Sequence, residues 1–197
     1  MENILFTIVL FPLFASVIGG LFKSQLGEKM VIGITCTGVT VSALLSFYVF
    51  TSIAILGGEN VNATLYTWME TSRFSVTFGV MADKLTATML LVVTSVSACV
   101  HYYSIGYMSH DTGKARFFSY LSLFTFTMLA LVTAPNMLQM FLGWEGVGLA
   151  SYLLIGFWFK KESANAASMK AFLVNRVADI GLLLAVFTTF AVFGSLN

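Results

Sequence analysis

Residues 135–160 read PNMLQMFLGWEGVGLASYLLIGFWFK, an almost wholly apolar stretch with a single acid, Glu145, in its middle. From residue 137 to 159 the run is long enough to cross a hydrocarbon core of about 30 Å at about 1.5 Å per helical residue, which sets Glu145 near the bilayer midplane. A charge at the centre of a membrane helix costs roughly 2.5–3.5 kcal/mol on insertion scales. A neutral Gln could hold two helices together at lower cost, so an acid kept there points to function rather than to glue. Glu145 is therefore the first candidate site residue.

The remainder of the chain agrees with a membrane setting. Of its 197 residues 58% are hydrophobic and only 10% charged, against about a quarter charged in a soluble domain. The net charge of +1 gives no basic or acidic excess of the kind that nucleic acid or a polyanionic substrate would require. Cys36 and Cys99 lie in apolar runs without CxxC or Cys/His spacing, which argues against a metal site or disulfide framework and leads us to expect two small core residues. The first apolar run follows an acid, Glu2, and lacks a small-residue cleavage site, so it reads as a retained helix rather than a signal peptide.

Hydropathy draws six spans, over residues 4–22, 30–56, 81–103, 117–134, 137–159 and 166–193, and thus an all-α integral membrane protein. Between the second and third spans, residues 57–80 carry Glu59, Asn60, Asn62, Glu70 and Arg73 with alternating Phe74, Val76 and Phe78, a pattern for a short surface hairpin. Lys23, Lys29, Lys114, Arg116, Lys160 and Lys161 all fall in the loops after spans one, three and five. By the positive-inside rule those loops face the cytoplasm and both termini the opposite side, with Arg73 and Lys84 as the basic residues there. Tyr102, Tyr103 and Tyr107 suit an interfacial aromatic belt, and His101 beside them is expected to belong to it. Asp83 before Lys84 is expected to start a helix; His110, Asp111 and Lys114 read as loop residues.

The sixth span adds Lys170, Asn175, Arg176 and Asp179 to an otherwise apolar run. Arg176 and Asp179 are three residues apart, share a helix face and can pair. With Glu145 on the preceding helix, two carboxylates and a cation are expected at one depth of the membrane. Such an arrangement suits protons, because a desolvated carboxylic acid can titrate near neutrality and a neighbouring ion pair that opens or closes changes its proton affinity. Neither a GxGxxG nor a Walker loop, cysteine cluster or c-type haem attachment pattern is present.

The run GWEGVGLASYLLIGFW, with NRVADIG downstream and ADKLTATMLLVVTSVSACVHYYSIGYM upstream, resembles the subunit L or chain 5 family of NADH-quinone oxidoreductase, respiratory complex I. The resemblance covers essentially the whole sequence. It implies a membrane-arm subunit that moves protons, with Glu145 as the family's buried glutamate and Arg176 and Asp179 as its modulating ion pair. It also implies N-terminal transmembrane helices over 1–61, a chain-5 N-terminal region over 62–112, and the start of an antiporter-like inverted-repeat module over 113–197, which the last three helices would begin. The oxidoreductase activity would belong to the complex, with NADH, FMN, iron–sulfur clusters and quinone in other subunits and no redox centre, cofactor or metal held by this chain. The expected partners are other membrane-arm subunits, especially the antiporter-like subunit M, and the lipid of a bacterial inner (plasma) membrane or a mitochondrial inner membrane. A family subunit is roughly three times longer and carries two inverted repeats. Its glutamate has a lysine partner on a following helix that is not among the six spans here, so Glu145 is expected to lack a cation and the isolated chain not to conduct protons. A non-transporting membrane scaffold and a subunit of a multisubunit sodium/proton antiporter are the alternatives.

Overall fold

The computed structural model describes residues 1–71 and 74–196. Ser72, Arg73 and Asn197 lie outside the described residues, and with them the expected place of Arg73. Among the described residues, six helices long and apolar enough to cross a membrane run antiparallel through the fold, and the protein is a multi-pass membrane protein. They are α1 (Glu2–Leu21), α3 (Glu28–Phe50), α4 (Lys84–Tyr107), α5 (Lys114–Val132), α6 (Met137–Ile155) and α7 (Glu162–Phe193). A four-residue helix, α2 (Lys23–Leu26), and the positive φ of Gly27 turn the chain from α1 into α3. A π turn, Thr51–Ile55, closes α3.

The expected hairpin is present as β1 (Val61–Thr71) and β2 (Phe74–Ala82), paired antiparallel from Val61 opposite Ala82. The third span starts later than hydropathy placed it. Met81 and Ala82 belong to β2, because Met81 pairs with Asn62 across the hairpin and its N–H donates to the Thr133 carbonyl (2.8 Å). Apolar content alone cannot separate a buried strand end from the first turn of a helix. Asp83 then caps α4 as expected, accepting from the Thr86 N–H at 2.7 Å.

Helices α1, α3, α4 and α5 form one bundle, α6 packs on α5, and α7 packs on α6. The core cluster sits at the hairpin end, where Leu5, Ile8, Val49, Ile53, Leu90 and Leu129 meet Ala63, Val80 and Ala82 of the two strands. Between helices, hydroxyls replace bulk. Ser16 and Ser119 each donate to the other's carbonyl oxygen (2.8 and 2.6 Å), and Ser42 donates to the Ile8 carbonyl at 2.9 Å. Such small polar contacts are the usual means of joining helices where lipid offers no hydrophobic gain.

Two expectations about residues of α4, His101 and Cys99, change. His101 is fully buried rather than part of the belt: its Nε2 lies 3.1 Å from Ser122 Oγ and its Nδ1 2.8 Å from the Ser97 carbonyl oxygen. Tyr102, Tyr103 and Tyr107, pointing the other way round the same helix, are exposed. The α4 surface rotates by about 100° per residue, so His101 faces α5 while its tyrosine neighbours face outward. Cys36 is buried, but Cys99 is exposed and is no core residue.

Candidate functional site

Helix α6 begins where Asn136 caps it, its Oδ1 accepting from the Gln139 N–H at 2.9 Å. Glu145 is the ninth residue of the helix, about 12 Å along its axis and about 15 Å from its other end. The glycines around Glu145 have separate tasks. A Cβ on Gly143 would stand 2.6 Å from the Leu131 Cα, and one on Gly146 would stand 2.8 Å from the Thr127 Cγ2. Gly143 therefore lets the α6 backbone meet that of α5 at Leu131, and Gly146 makes room for the Thr127 side chain. Gly148 lies on the other side, where a Cβ would stand 3.8 Å from the Asn175 side-chain amide nitrogen of α7.

With α5 occupying the glycine face, Glu145 meets α7. Its Oε2 forms an ion pair with Arg176 Nη1, and the same Nη1 lies 3.3 Å from Asp179 Oδ2. The other oxygen of Asp179 accepts the Trp144 indole N–H at 3.0 Å. Asp179 is buried, with 7% of its surface exposed, while Glu145 and Arg176 are half-buried. The guanidinium is also stacked over the Phe172 ring, 4.6 Å from its centroid, and Phe172 in turn packs against Tyr152 at 5.3 Å. One cation thus serves two acids on two helices.

All three sequence candidates, Glu145, Arg176 and Asp179, come together, and the expected pairing of Arg176 with Asp179 is present. The expectation that Glu145 lacks a cation is overturned: Arg176 reaches across from α7 to it as well as along its own helix. Spacing within one helix shows an i,i+3 pair but not which face of the neighbouring helix it meets. Lys170 is exposed and takes no part. Trp144 and Phe172 were not singled out by the sequence, although an indole N–H beside a mid-membrane acid has to find an acceptor. Among the described residues no group of three or more His, Cys, Asp or Glu side chains could hold a metal ion.

Comparison with known proteins places these features in a family. Residues 68–118 match the family described as NADH-Ubiquinone oxidoreductase (complex I), chain 5 N-terminus, and residues 134–197 match NADH:quinone oxidoreductase/Mrp antiporter, TM. The chain is 48% identical over 196 residues to NADH-quinone oxidoreductase subunit L of Rickettsia typhi, which covers 100% of this chain and 30% of that protein. It is 48% identical over 197 residues to subunit L of Rhodobacter capsulatus, covering 96% of this chain and 27% of that one. NADH-ubiquinone oxidoreductase chain 5 of Dictyostelium citrinum is 45% identical over 189 residues, 96% of this chain and 28% of its own. The chain therefore spans about 30% of the length of these relatives. In fold it is similar to a chain of the membrane-bound sulfane sulfur reductase, an archaeal respiratory membrane complex, with a TM-score of 0.84 at 15% identity over 100% of this chain and 39% of that one. A chain of the Mrp complex from Dietzia sp. DQ12-45-1b gives a TM-score of 0.79 at 21% identity, over 98% of this chain and 20% of its own. Along its whole length, the chain belongs with the N-terminal portion of the NADH-quinone oxidoreductase subunit L and chain 5 family.

Proposed function

We propose that this chain forms the N-terminal part of a membrane-arm subunit of a proton-pumping NADH:quinone oxidoreductase, and that Glu145 takes up and releases the proton under the control of Arg176 and Asp179. The observation that carries the reading is the single guanidinium held between two carboxylates of adjacent helices, halfway along α6. Protonating Glu145 removes the charge that holds Arg176 to α6. The guanidinium then belongs to Asp179, which the Trp144 N–H keeps in place. Deprotonation reverses the exchange, so the position of Arg176 and the proton on Glu145 are linked in both directions.

Segments 1–61, 62–112 and 113–197 serve in this reading as N-terminal helices, chain-5 region and the beginning of the proton-conducting module. Further helices of the subunit and the neighbouring antiporter-like subunit M would supply the charges that bias Arg176. Oxidation of NADH through FMN and iron–sulfur clusters to quinone takes place in other subunits. The membrane is the bacterial inner membrane, with the end of the bundle that carries Lys23, Lys114 and Lys160 on the cytoplasmic side.

The test is Glu145→Gln in the assembled complex, with NADH oxidation and proton translocation measured together. Loss of proton translocation with normal assembly supports the relay. Normal translocation, or failure to assemble, favours a scaffold in which the three charges only fix the register of α6 on α7. Sodium-dependent proton flux would favour the antiporter reading instead.

A further inference from the structure

At the basic end of the bundle, opposite the hairpin, the loop between α4 and α5 and the turn between α6 and α7 enclose an open cleft of about 370 Å³. Lys23, Arg116, Lys160 and Lys161 line it, and Asp111 is the one acid among the described residues of its wall. Asp111 joins the two loops. Its Oδ2 accepts the Trp158 indole N–H at 2.9 Å and its Oδ1 accepts the Gly113 N–H at 2.7 Å. Trp158 first and Gly113 second hold this carboxyl below the ordinary carboxylate range, and both of its oxygens are engaged.

Arg116 has the opposite status. Its guanidinium donates to the Phe157 carbonyl oxygen at 3.1 Å and lies 4.8 Å from the Phe157 ring centroid and 4.9 Å from that of Phe159. Its Nε is buried with no hydrogen-bond partner, and no carboxylate among the described residues forms an ion pair with it. Lys161 sits over the Trp158 ring at 4.9 Å rather than on an acid. Four cations thus converge with one acid that is already bonded. A second groove, lined by Tyr120, Tyr152, Asn165 and Ser168 among others, shares Arg116 and Phe159 with this cleft and is as polar as it is apolar. Exposed Trp158 and Phe159 flank the mouth of the cleft, where an interfacial aromatic belt would lie.

We infer that this cleft binds the phosphodiester headgroup of an anionic phospholipid from the leaflet that the basic end faces, with its acyl chains against the exposed rings of Trp158 and Phe159. The phosphate supplies countercharge beyond the single carboxylate of Asp111 and further acceptors for Arg116, Lys160 and Lys161, and the rings of Phe157, Trp158 and Phe159 exclude water around the pair. A lipid fits better than a free anion because the exposed apolar rings of Trp158 and Phe159 stand in the wall of the basic cleft, where acyl chains can lie against them.

The full chain, in a neutral detergent, is mixed with equal amounts of dioleoyl phosphatidylglycerol and dioleoyl phosphatidylcholine, and the lipid retained is counted by native mass spectrometry. The expected result is retention of phosphatidylglycerol over phosphatidylcholine, weakened roughly ten-fold or more by Arg116→Gln and by Lys160→Gln with Lys161→Gln. Lys29→Gln, which removes the same charge from the same end outside the cleft, leaves it unchanged. Lys160 and Lys161 are exposed, so their variant decides the matter if Arg116→Gln fails to fold. Equal retention of the two lipids, an equal loss in Lys29→Gln, or displacement of phosphatidylglycerol by millimolar inorganic phosphate overturns the inference.

Discussion

Glu145 on α6 and Arg176 on α7 are bonded directly, and Arg176 reaches Asp179 with the same Nη1 nitrogen. Because the cation is shared, the three residues are not equivalent. Removing Glu145 leaves a complete pair, whereas removing Arg176 leaves two acids in an apolar region with no cation between them.

Arg176→Gln is therefore expected to destabilise the chain more than Glu145→Gln. A hydrogen bond to a charged group is worth about 1.5–3 kcal/mol, and Arg176 makes two such contacts, one to each acid. We expect Glu145→Gln to cost no more than about 1.5 kcal/mol and Arg176→Gln to cost about twice as much. Denaturant unfolding of the full chain in mixed micelles measures both. Equal losses would mean that Asp179 gains nothing from Arg176.

Trp144→Phe isolates the positioning of Asp179. The indole N–H bonds to the oxygen that Arg176 leaves free, at 3.0 Å, and phenylalanine keeps most of the ring contact while deleting the donor. A cycle of Trp144→Phe with Asp179→Asn is expected to show a coupling of about 1.5 kcal/mol, whereas contact through packing alone would give a value near zero.

Only part of this site is legible in the amino-acid sequence. Glu145 stands out because nothing else in residues 137–159 carries a charge, and the pairing of Arg176 with Asp179 follows from their spacing of three. The contact between the two helices depends on which face of α6 carries the glycines, and that is settled only when Gly143 and Gly146 are seen against Leu131 and Thr127. Hydropathy also locates six spans, but it runs the third into β2, because Met81 and Ala82 are as apolar as the helix that follows. His101 is misplaced for a related reason. A position beside three exposed tyrosines says nothing about facing, and a helix turns about 100° between neighbours.

Two amide side chains at the start of α6 tie the hairpin to the bundle. Gln139 donates from Nε2 to the Gly79 carbonyl (2.7 Å) and accepts the Gly79 N–H at Oε1 (3.0 Å), so its amide acts as a further strand residue on β2. Gln139 is buried, and Asn136 adds a bond to the Thr77 carbonyl at 2.7 Å. Gln139→Leu has a similar volume but leaves the backbone N–H and C=O of Gly79 without these partners. We expect a loss of about 2–4 kcal/mol and faster amide exchange at Gly79, read by hydrogen exchange and mass spectrometry. Unchanged exchange there would show that the core around Val80 and Ala82 holds the hairpin unaided.

Asp83 links the hairpin to α4, and its effect depends on pH with a definite sign. The carboxylate accepts the Thr86 N–H at 2.7 Å, and this backbone bond is the main reason its carboxyl lies below the ordinary range in the folded chain. A group whose folded pKa is depressed binds its proton more readily unfolded. Its contribution is therefore complete above the unfolded value, roughly pH 4, and disappears as the pH falls through the lower folded value. Asp83→Ala removes the cap and is expected to cost about 1 kcal/mol at pH 7, while Asp83→Asn, which keeps an acceptor oxygen, costs a few tenths. Amide exchange at Thr86 gives the local reading. At pH 7 the alanine variant should exchange faster than the wild type, and the difference should shrink as the pH is lowered below about 4 once the intrinsic pH dependence of exchange is removed. A difference that persists undiminished in acid would mean that the protonated carboxyl caps α4 as well as the ionised one.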